Sequence, residues 1–244
     1  MSVRVDHVVQ WLERNDVDVL ALQEIKCLDE QFPIEPFISM GYEVIVSGQK
    51  TYNGVAILSK SESEDIITDI DGFEDPQRRI LAATVDDIRI INLYVPNGQS
   101  LDSDKFQYKL EWLDAVTQFI AEQKEQYGKV VVLGDFNIAP TDEDVWDPKE
   151  WQETLLVSQK ERVALNRLMR LGFVDSFRLF KQSQDSFSWW DYRGGSYRQN
   201  KGLRIDLILL SSMLVDSCRN SKIDQVPRSW ARPSDHAPVF VVLN

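Results

Sequence analysis

The sequence predicts a mixed α/β fold in which helices cover the faces of β-sheets. Short apolar runs of about four to eight residues indicate strands, and they recur both in pairs joined by tight turns and next to longer helical segments. Paired strands indicate antiparallel hairpins, whereas strand–helix units are typical of layered sheets with helices outside. With 244 residues and 43% hydrophobic residues, the chain can bury a large core in one domain, or at most two.

The individual elements follow from periodicity and from turn residues. Val5, Val8 and Leu12 share one face of a first helix, and Gly172 ends the last long helix. Asp86-Asp87 separates two apolar runs and predicts the turn of a hairpin. In chain order, the predicted elements are helix 5–14; strands 17–22, 42–47, 54–59, 79–85 and 88–95; helix 101–127; strand 129–133; helix 161–171; and strands 205–210 and 239–243.

Composition excludes several classes of protein. The chain has no run of about 18 apolar residues, so we expect no membrane span. Residues 1–10 lack a secretory apolar core, which predicts a cytoplasmic protein. Cys27 and Cys218 lack the spacing of a metal site, and we expect reduced thiols, although a disulfide is not excluded by the count.

The charge pattern is uneven along the chain. A net charge of −12 argues against a generic nucleic-acid binder, which is usually basic. Residues 181–232, however, carry nine Lys/Arg against five Asp. Such a basic segment fits contact with a phosphate backbone. From charge alone, however, a solvated face is the favoured interpretation.

Polar residues recur where the predicted apolar strands end. Each of them alone fits a turn or a helix cap, but recurrence at five strand ends favours a functional site, because strand ends are rigid while the loops after them are exposed. If strand geometry continues past residue 135, Asp135 and Asn137 point to the same side. The positions are Glu24, Tyr94, Asn97, Asp135, Asn137, Asp206, Asp235 and His236.

The donor types favour a hard divalent cation over zinc. The carboxylate of Glu24, directly after strand 17–22, suits magnesium, which prefers oxygen ligands. His7 and His236 are the only histidines, and no cysteine cluster accompanies them, so we expect no structural zinc site. His7 lies on the first predicted helix and fits a surface or packing role.

Five motifs in a fixed order carry a resemblance over essentially the whole chain. They resemble the exonuclease III / AP endonuclease family of DNA repair enzymes, within the endonuclease/exonuclease/phosphatase superfamily. The resemblance implies a DNase I-like fold, a four-layer α/β/β/α sandwich of two packed mixed sheets. The motifs are Leu22-Gln23-Glu24, Asn92-Leu93-Tyr94-Val95-Pro96-Asn97-Gly98, Gly134-Asp135-Phe136-Asn137, Arg204-Ile205-Asp206 and Ser234-Asp235-His236-Ala237-Pro238.

The resemblance implies roles for the acidic motif residues. Glu24 is expected to be the principal magnesium ligand, with manganese as a possible substitute, and Asp235 to support the metal region. Asp135 is expected to orient or deprotonate the attacking water, while Asn137 holds the scissile phosphate.

The same resemblance assigns four further catalytic-site residues. His236 is expected to donate to a non-bridging phosphate oxygen, and Asp206 to fix its tautomer and orientation. Tyr94 is expected to contact the phosphate or assist the leaving group, and Asn97 to line the same pocket.

The substrate implied is double-stranded DNA with abasic sites or 3′ ends. Trp189, Leu203 and Ile205 correspond to the apolar walls that receive a flipped-out baseless sugar. Leu203 is smaller than the aromatic residue found there in some relatives, which predicts a looser wall. Candidate contacts to backbone phosphates are Arg78, Arg193, Arg198, Lys201 and Arg232.

The first residues depart from the family pattern. Family members open with a strand that carries an Asn of the metal and phosphate site, whereas here Ser2-Val3-Arg4 matches only the end of that motif. We therefore expect one domain over residues 1–244 that lacks the N-terminal strand. If that truncation is real, we expect weaker magnesium affinity and low activity.

The function expected from these residues is a magnesium-dependent DNA repair nuclease, acting as AP endonuclease, 3′–5′ exonuclease and 3′-phosphatase and working as a monomer. One alternative keeps the fold but changes the substrate to a small phosphate ester. The other is a truncated, weakly active DNA-binding module.

Overall fold

The computed structural model describes residues 4–244, so the expected match at Ser2 and Val3 lies outside the described part of the chain. The chain divides into two compact units. The first unit comprises Met1–Tyr94 and Lys129–Gly134, and the second comprises Val95–Gly128 and Asp135–Asn244. The expectation of one domain stays a prediction.

Within the described residues, the first unit contains two sheets and two short α-helices. One sheet has the strand order β1-β3-β2, and the strands of the other follow the order β4-β5-β6-β7. The helix α1 buries Trp11 and Leu12. The elements are α1 (Val5–Leu12), β1 (Val19–Leu22), α2 (Glu35–Ile38), β2 (Glu43–Ser47), β3 (Val55–Ser59), β4 (Glu64–Ile67), β5 (Ile80–Val85), β6 (Ile88–Tyr94) and β7 (Val130–Asp135), which crosses into the second unit at its last residue.

Two backbone features explain how strands pair in the sheet formed by β4, β5, β6 and β7. Asp86 and Asp87 have φ angles of 46° and 64°, as a two-residue type I′ hairpin turn requires, and Val85 pairs with Ile88 across it. A Cβ at Gly134 would lie 2.0 Å from the carbonyl oxygen of Leu93. Only glycine therefore permits the end of β7 to approach β6 this closely.

The second unit carries two long helices and two antiparallel strand pairs, β8 with β9 and β10 with β11. Ser103 caps α3, and Ser158 and Glu161 form a capping box at the start of α4. The elements are α3 (Asp104–Tyr127), α4 (Gln159–Met169), β8 (Phe173–Asp175), β9 (Asp206–Ser211), α5 (Ser212–Val215), β10 (Cys218–Ile223) and β11 (Val239–Leu243).

Each predicted element is present; strand 239–243 has the expected bounds, and the others have shifted ends. The helix expected over 101–127 begins at Asp104, and the helix expected over 161–171 runs from Gln159 to Met169. Strands β4, β8 and β10 were not predicted. The inward positions of β10 include Cys218 and Ser221, which are small and give no apolar alternation in the sequence.

Cys27 and Cys218 are free thiols, as expected. Among the described residues, no helix is long and apolar enough to cross a membrane.

Candidate active site

Glu24 lies just after β1 in the first unit, and its backbone is strained. Its φ of 53° falls in the left-handed region, which is uncommon for residues other than glycine. Its carboxylate accepts a short hydrogen bond from the Tyr94 hydroxyl and lies 2.7 Å from Lys26 Nζ. The Glu24 side chain is 43% exposed. The carboxylate is thus held in one orientation and remains accessible to a ligand from solvent.

Tyr94, at the end of β6, is fixed by a residue that the sequence reasoning did not select. The guanidinium of Arg79 lies 4.8 Å from the centre of the Tyr94 ring, and its Nη1 donates to the Tyr94 carbonyl at 3.1 Å. Gln77 in turn accepts from Arg79 Nε at 3.0 Å. Arg79 is buried. In the sequence, only its position next to Arg78 pointed to a role for this residue.

Arg78, the predicted phosphate contact, takes a different position. Its Nη1 donates to both carboxylate oxygens of Asp69, at 2.6 and 2.7 Å. The side chains of Arg78 and Asp69 are 39% and 55% exposed. Breaking an ion pair this exposed costs little free energy. Contact with a phosphate requires that Arg78 leave Asp69.

In the second unit, Asp135 and Asn137 form a compact side-chain turn. Asn137 has a φ of 48°, so strand geometry does not continue past Asp135 to this residue. The two side chains meet because Asn137 N donates to Asp135 Oδ1 at 2.9 Å and Asn137 Nδ2 donates to Asp135 Oδ2 at 3.2 Å. Asparagine tolerates the left-handed region better than most residues, which explains its place in the motif.

Asn137 is held from a second side as well. Its Nδ2 also donates to the Val95 carbonyl at 3.0 Å, and its Oδ1 accepts from Asn97 Nδ2 at 3.1 Å. Both hydrogens of Nδ2 are therefore engaged, and a phosphate oxygen has to replace one of their acceptors. Asn97 itself is exposed, which leaves it accessible from solvent.

Asp206 and His236 form the second polar pair of this unit. His236 Nδ1 lies 3.0 and 2.9 Å from the two carboxylate oxygens of Asp206. Burial opposes the charged ring, but the carboxylates of Asp206 and then Asp135 outweigh it and raise the pKa of His236 to about 10. The ring is therefore an imidazolium at neutral pH. Its Nε2 is 4.0 Å from Asp135 Oδ2.

Ser188 braces this pair and was also missed by the sequence reasoning. Its buried hydroxyl oxygen accepts from the backbone N–H groups of Ile205 and Asp206, each at 3.1 Å. Its carbonyl accepts from Ala237 N at 2.7 Å. Ser188 thus ties the Asp206 segment to the His236 segment, and no pattern in the sequence marks such a contact.

Asp235 and Trp189 contact each other. Trp189 Nε1 donates to Asp235 Oδ2 at 3.1 Å, and the half-buried Trp189 ring packs against an apolar cluster. Leu203 and Ile205 belong to that cluster and are 0% and 1% exposed. Of the three residues expected to line an apolar pocket, only Trp189 therefore offers surface to a ligand in this structure.

Arg204 and Arg228, in the basic segment 181–232, are buried and have structural contacts. Arg204, 1% exposed, donates to Asp144 at 2.6 Å and to Asp175 at 2.7 Å. The guanidinium of Arg228 lies 4.5 Å from the centre of the Tyr197 ring. The net positive charge of this segment is therefore larger than the charge that its accessible side chains can offer to a phosphate backbone.

One group of the described residues has metal-binding spacing. Ligand atoms of Asp135, Asp206 and His236 lie within 4.8 Å of one another. Both oxygens of Asp206 already contact the His236 ring, and Asp135 accepts two hydrogen bonds from Asn137. Glu24 has a more accessible carboxylate, and a cation that keeps most of its own water needs few protein ligands. A magnesium ion therefore fits Glu24 better than this group.

Comparison with known proteins identifies the class to which these motifs belong. The Endonuclease/Exonuclease/phosphatase family matches residues 1–236. The chain is 37% identical to the exodeoxyribonuclease III of Haemophilus influenzae, over 94% of this chain and 91% of that protein. The chain therefore belongs to the Endonuclease/Exonuclease/phosphatase family, and within it to the exodeoxyribonuclease III / AP endonuclease enzymes.

Two solved structures agree with this assignment. A 3′ phosphatase from Neisseria, bound to a product DNA hairpin, has a TM-score of 0.97 and 42% identity, covering 99% of this chain and 95% of its own. An AP endonuclease from Archaeoglobus fulgidus has a TM-score of 0.95 and 34% identity, covering 99% and 94%. These matches confirm the expected mixed α/β fold with two packed sheets.

Proposed function

We propose that this protein is a magnesium-dependent nuclease that hydrolyses phosphodiester bonds of double-stranded DNA at 3′ ends and abasic sites. The observation that carries the proposal is the contact of His236 Nδ1 with both oxygens of Asp206, beside the Asp135–Asn137 turn. A fixed imidazolium next to a carboxylate and an amide suits hydrolysis of a phosphate ester. The relatives named as exodeoxyribonuclease III, 3′ phosphatase and AP endonuclease support the choice of DNA.

The residues of the second unit would act on the phosphate and the water. Asp135 orients or deprotonates the attacking water, since its carboxylate is fixed by Asn137. His236 donates from Nε2 to a non-bridging phosphate oxygen while Asp206 holds Nδ1. Asn137 contributes an amide donor once a phosphate oxygen replaces the Val95 carbonyl or Asp135 as its acceptor, and Asn97 supports it.

The residues of the first unit would hold the cation and assist the leaving group. Glu24 would be the principal magnesium ligand, and Lys26 and Tyr94 would fix the orientation of its carboxylate. When bound, a magnesium ion supplies Lewis-acid stabilisation of developing negative charge, and manganese can replace it. Tyr94 would contact the phosphate or the departing oxygen. Asp235, which belongs to the second unit, would support the metal region.

The same residues imply how DNA is selected. Trp189 offers partial surface to an extrahelical sugar, with Leu203 and Ile205 behind it in the core. Arg78 would contact a backbone phosphate after release from Asp69. Because Leu203 and Ile205 are covered, an abasic sugar needs an opening of this wall that a 3′-terminal phosphate does not need.

We expect the protein to be a cytoplasmic monomer.

The test uses three duplexes that carry a 3′ phosphate, a recessed 3′ hydroxyl end or an internal abasic site, each with magnesium and with EDTA. The expected result is magnesium-dependent release of phosphate, mononucleotides or a nicked strand. Hydrolysis of an inositol phosphate with no reaction on DNA would instead favour a small phosphate-ester phosphatase. Binding of DNA without any cleavage would favour a DNA-binding module.

A further inference from the structure

Lys109, on α3 in the second unit, is a fully buried lysine with three acceptors. Its side chain is 0% exposed, which is rare for lysine unless it is paired. Its Nζ donates to the Asn137 carbonyl at 2.8 Å, to the Asn97 carbonyl at 3.1 Å and to Glu161 Oε1. An ammonium group has three N–H donors, so all of them are used.

Glu161, the carboxylate partner of Lys109, is equally well fixed. It is 0% exposed and lies at the third position of α4, in the capping box with Ser158. Its Oε2 accepts from Ser158 Oγ at 2.6 Å and from Ser158 N at 3.1 Å, while Oε1 accepts from Leu156 N at 3.0 Å. The pair is thus anchored to the start of one helix and the first half of another.

Stability alone gives little reason for such a pair, because desolvation of two charges offsets most of their attraction. Burial lowers the pKa of the Lys109 ammonium, and Glu161 counteracts that effect. What the pair achieves is a fixed position for two loop carbonyls. Those carbonyls belong to Asn97 and Asn137, whose side chains bond to each other at 3.1 Å.

The loop that contains Asn97 also packs directly on the lysine stem. Gly98 has a φ of 99°, and a Cβ there would lie 3.2 Å from Lys109 Cδ. The backbone at Gly98 therefore runs along the buried side chain of Lys109. A shift of Lys109 would move this loop and the Asn137 turn together.

We propose that Lys109 and Glu161 are a positioning pair that sets the backbone of Asn137 and Asn97 for phosphodiester hydrolysis. The inference rests on the proposed function, since it assigns no chemistry to Lys109 itself. A misplacement of about 1 Å at a reacting group can cost roughly 100-fold in rate. The pair therefore affects kcat through Asn137 rather than the affinity for DNA.

The test compares Lys109→Met/Glu161→Gln with wild type on whichever of the three duplexes the wild type cleaves. The double variant removes both charges together, so that neither is left buried alone. The expected result is a kcat lower by roughly 10- to 100-fold, with KM for DNA changed less than about threefold. Lys109→Arg, which keeps a charged donor at this place, is expected to recover most of the lost kcat.

A double-mutant cycle with Asn137→Ala separates positioning from general destabilisation. If Lys109 acts through Asn137, its replacement changes kcat less than about twofold in the Asn137→Ala background. Leu168→Ala, a buried change in α4 outside this network, is the matched control and leaves kcat unchanged below its melting temperature. A wild-type kcat for the double variant, or a full loss that persists in the Asn137→Ala background, overturns the proposal.

Should the double variant not fold, Glu161→Gln alone decides the question. Without its carboxylate partner the buried ammonium loses its proton more easily and becomes a weaker donor. The expected kcat is several-fold below wild type at neutral pH, again with no further loss in the Asn137→Ala background. An additive effect overturns the proposal. A wild-type protein that cleaves none of the duplexes refutes the proposed function instead, which keeps the two failures distinct.

Discussion

The polar residues of the two units differ in how firmly they are held. In the first unit Glu24 is exposed, has a strained backbone and contacts Tyr94 and the exposed Lys26. In the second unit Asp135 is buried and is bonded to Asn137 twice, while Asp206 contacts His236 through both oxygens. An exposed single carboxylate suits an exchangeable ligand, whereas a buried network suits groups that must not move during the reaction.

The largest expected effect falls on the buried network. Asp135→Asn keeps the shape of the side chain but removes the charge that would orient or deprotonate water. We expect kcat to fall by about 1,000-fold, within the range for loss of a general base, with little change in melting temperature. Single-turnover cleavage of the 3′-phosphate duplex measures it. Asp102→Asn, an exposed carboxylate of the same unit, is the control, and an active Asp135→Asn variant would remove Asp135 from the chemistry.

A smaller loss is expected when the support of the imidazolium is removed. Asp206→Asn leaves the ring of His236 without its carboxylate partner, and we expect kcat to fall by about 100-fold. The exposed Asp216→Asn change in the same unit should have no effect. If Asp206→Asn retains wild-type kcat, as its control does, the contact between Asp206 and His236 contributes only to packing.

In the first unit, removal of the Tyr94 hydroxyl should have a modest effect. Tyr94→Phe keeps the ring over Arg79 and removes the hydroxyl that donates to Glu24 and that is proposed to contact the phosphate or the departing oxygen. One hydrogen bond to a charged group contributes about 1.5 kcal/mol, so we expect roughly a 10-fold lower rate. Tyr52→Phe, at a 68% exposed tyrosine, is the control. A loss as large as that of Asp135→Asn would contradict the view that this unit is the less constrained of the two.

The smallest effect on catalysis is expected at Asp144, whose role is structural. Burial opposes ionisation of Asp144, but Arg204 and then Arg178 outweigh it and lower the pKa of its carboxyl. Asp144→Asn should reduce the free energy of unfolding by about 3 kcal/mol at pH 7, the usual result of breaking a buried ion pair, without changing kcat at low temperature.

The pH dependence of that difference follows from the lowered pKa. The stabilisation by the Asp144 carboxylate is complete above the unfolded-state pKa of about 3.9 and is lost as the pH falls through the lower folded-state value. Urea unfolding between pH 7 and pH 3 should therefore show the wild-type advantage over Asp144→Asn shrinking below about pH 4. An advantage that stays constant over this range would show that the pKa of the Asp144 carboxyl is the same in the folded and the unfolded protein.

Local signals in the sequence were enough for much of the fold. The Asp86-Asp87 turn, the periodic helices and the carboxylates after strands each depend on a few neighbouring residues. Glu24, Asp135 and Asp206 were selected in this way, and each lies where a strand begins or ends.

The supports of the site depend on contacts that no local pattern encodes. Lys109 and Glu161 are 52 positions apart in sequence, and Ser188 meets Asp206 over 18 positions. The burial of Leu203 could not be predicted from the sequence either, because an apolar residue next to a motif fits both a pocket wall and a core position. Such residues become visible only when their acceptors or neighbours are known.

The central claim is that Glu24 holds the cation while Asp135 acts on the water. Its most direct test is the magnesium dependence of single-turnover cleavage in wild type, Glu24→Gln and Asp135→Asn, with Glu13→Gln as the exposed control. We predict that Glu24→Gln raises the half-saturating magnesium concentration by roughly 10- to 100-fold and regains most of its rate at high magnesium. Asp135→Asn should lower the maximal rate without shifting that concentration. A shift in Asp135→Asn and none in Glu24→Gln would place the cation at the Asp135 group and contradict the account.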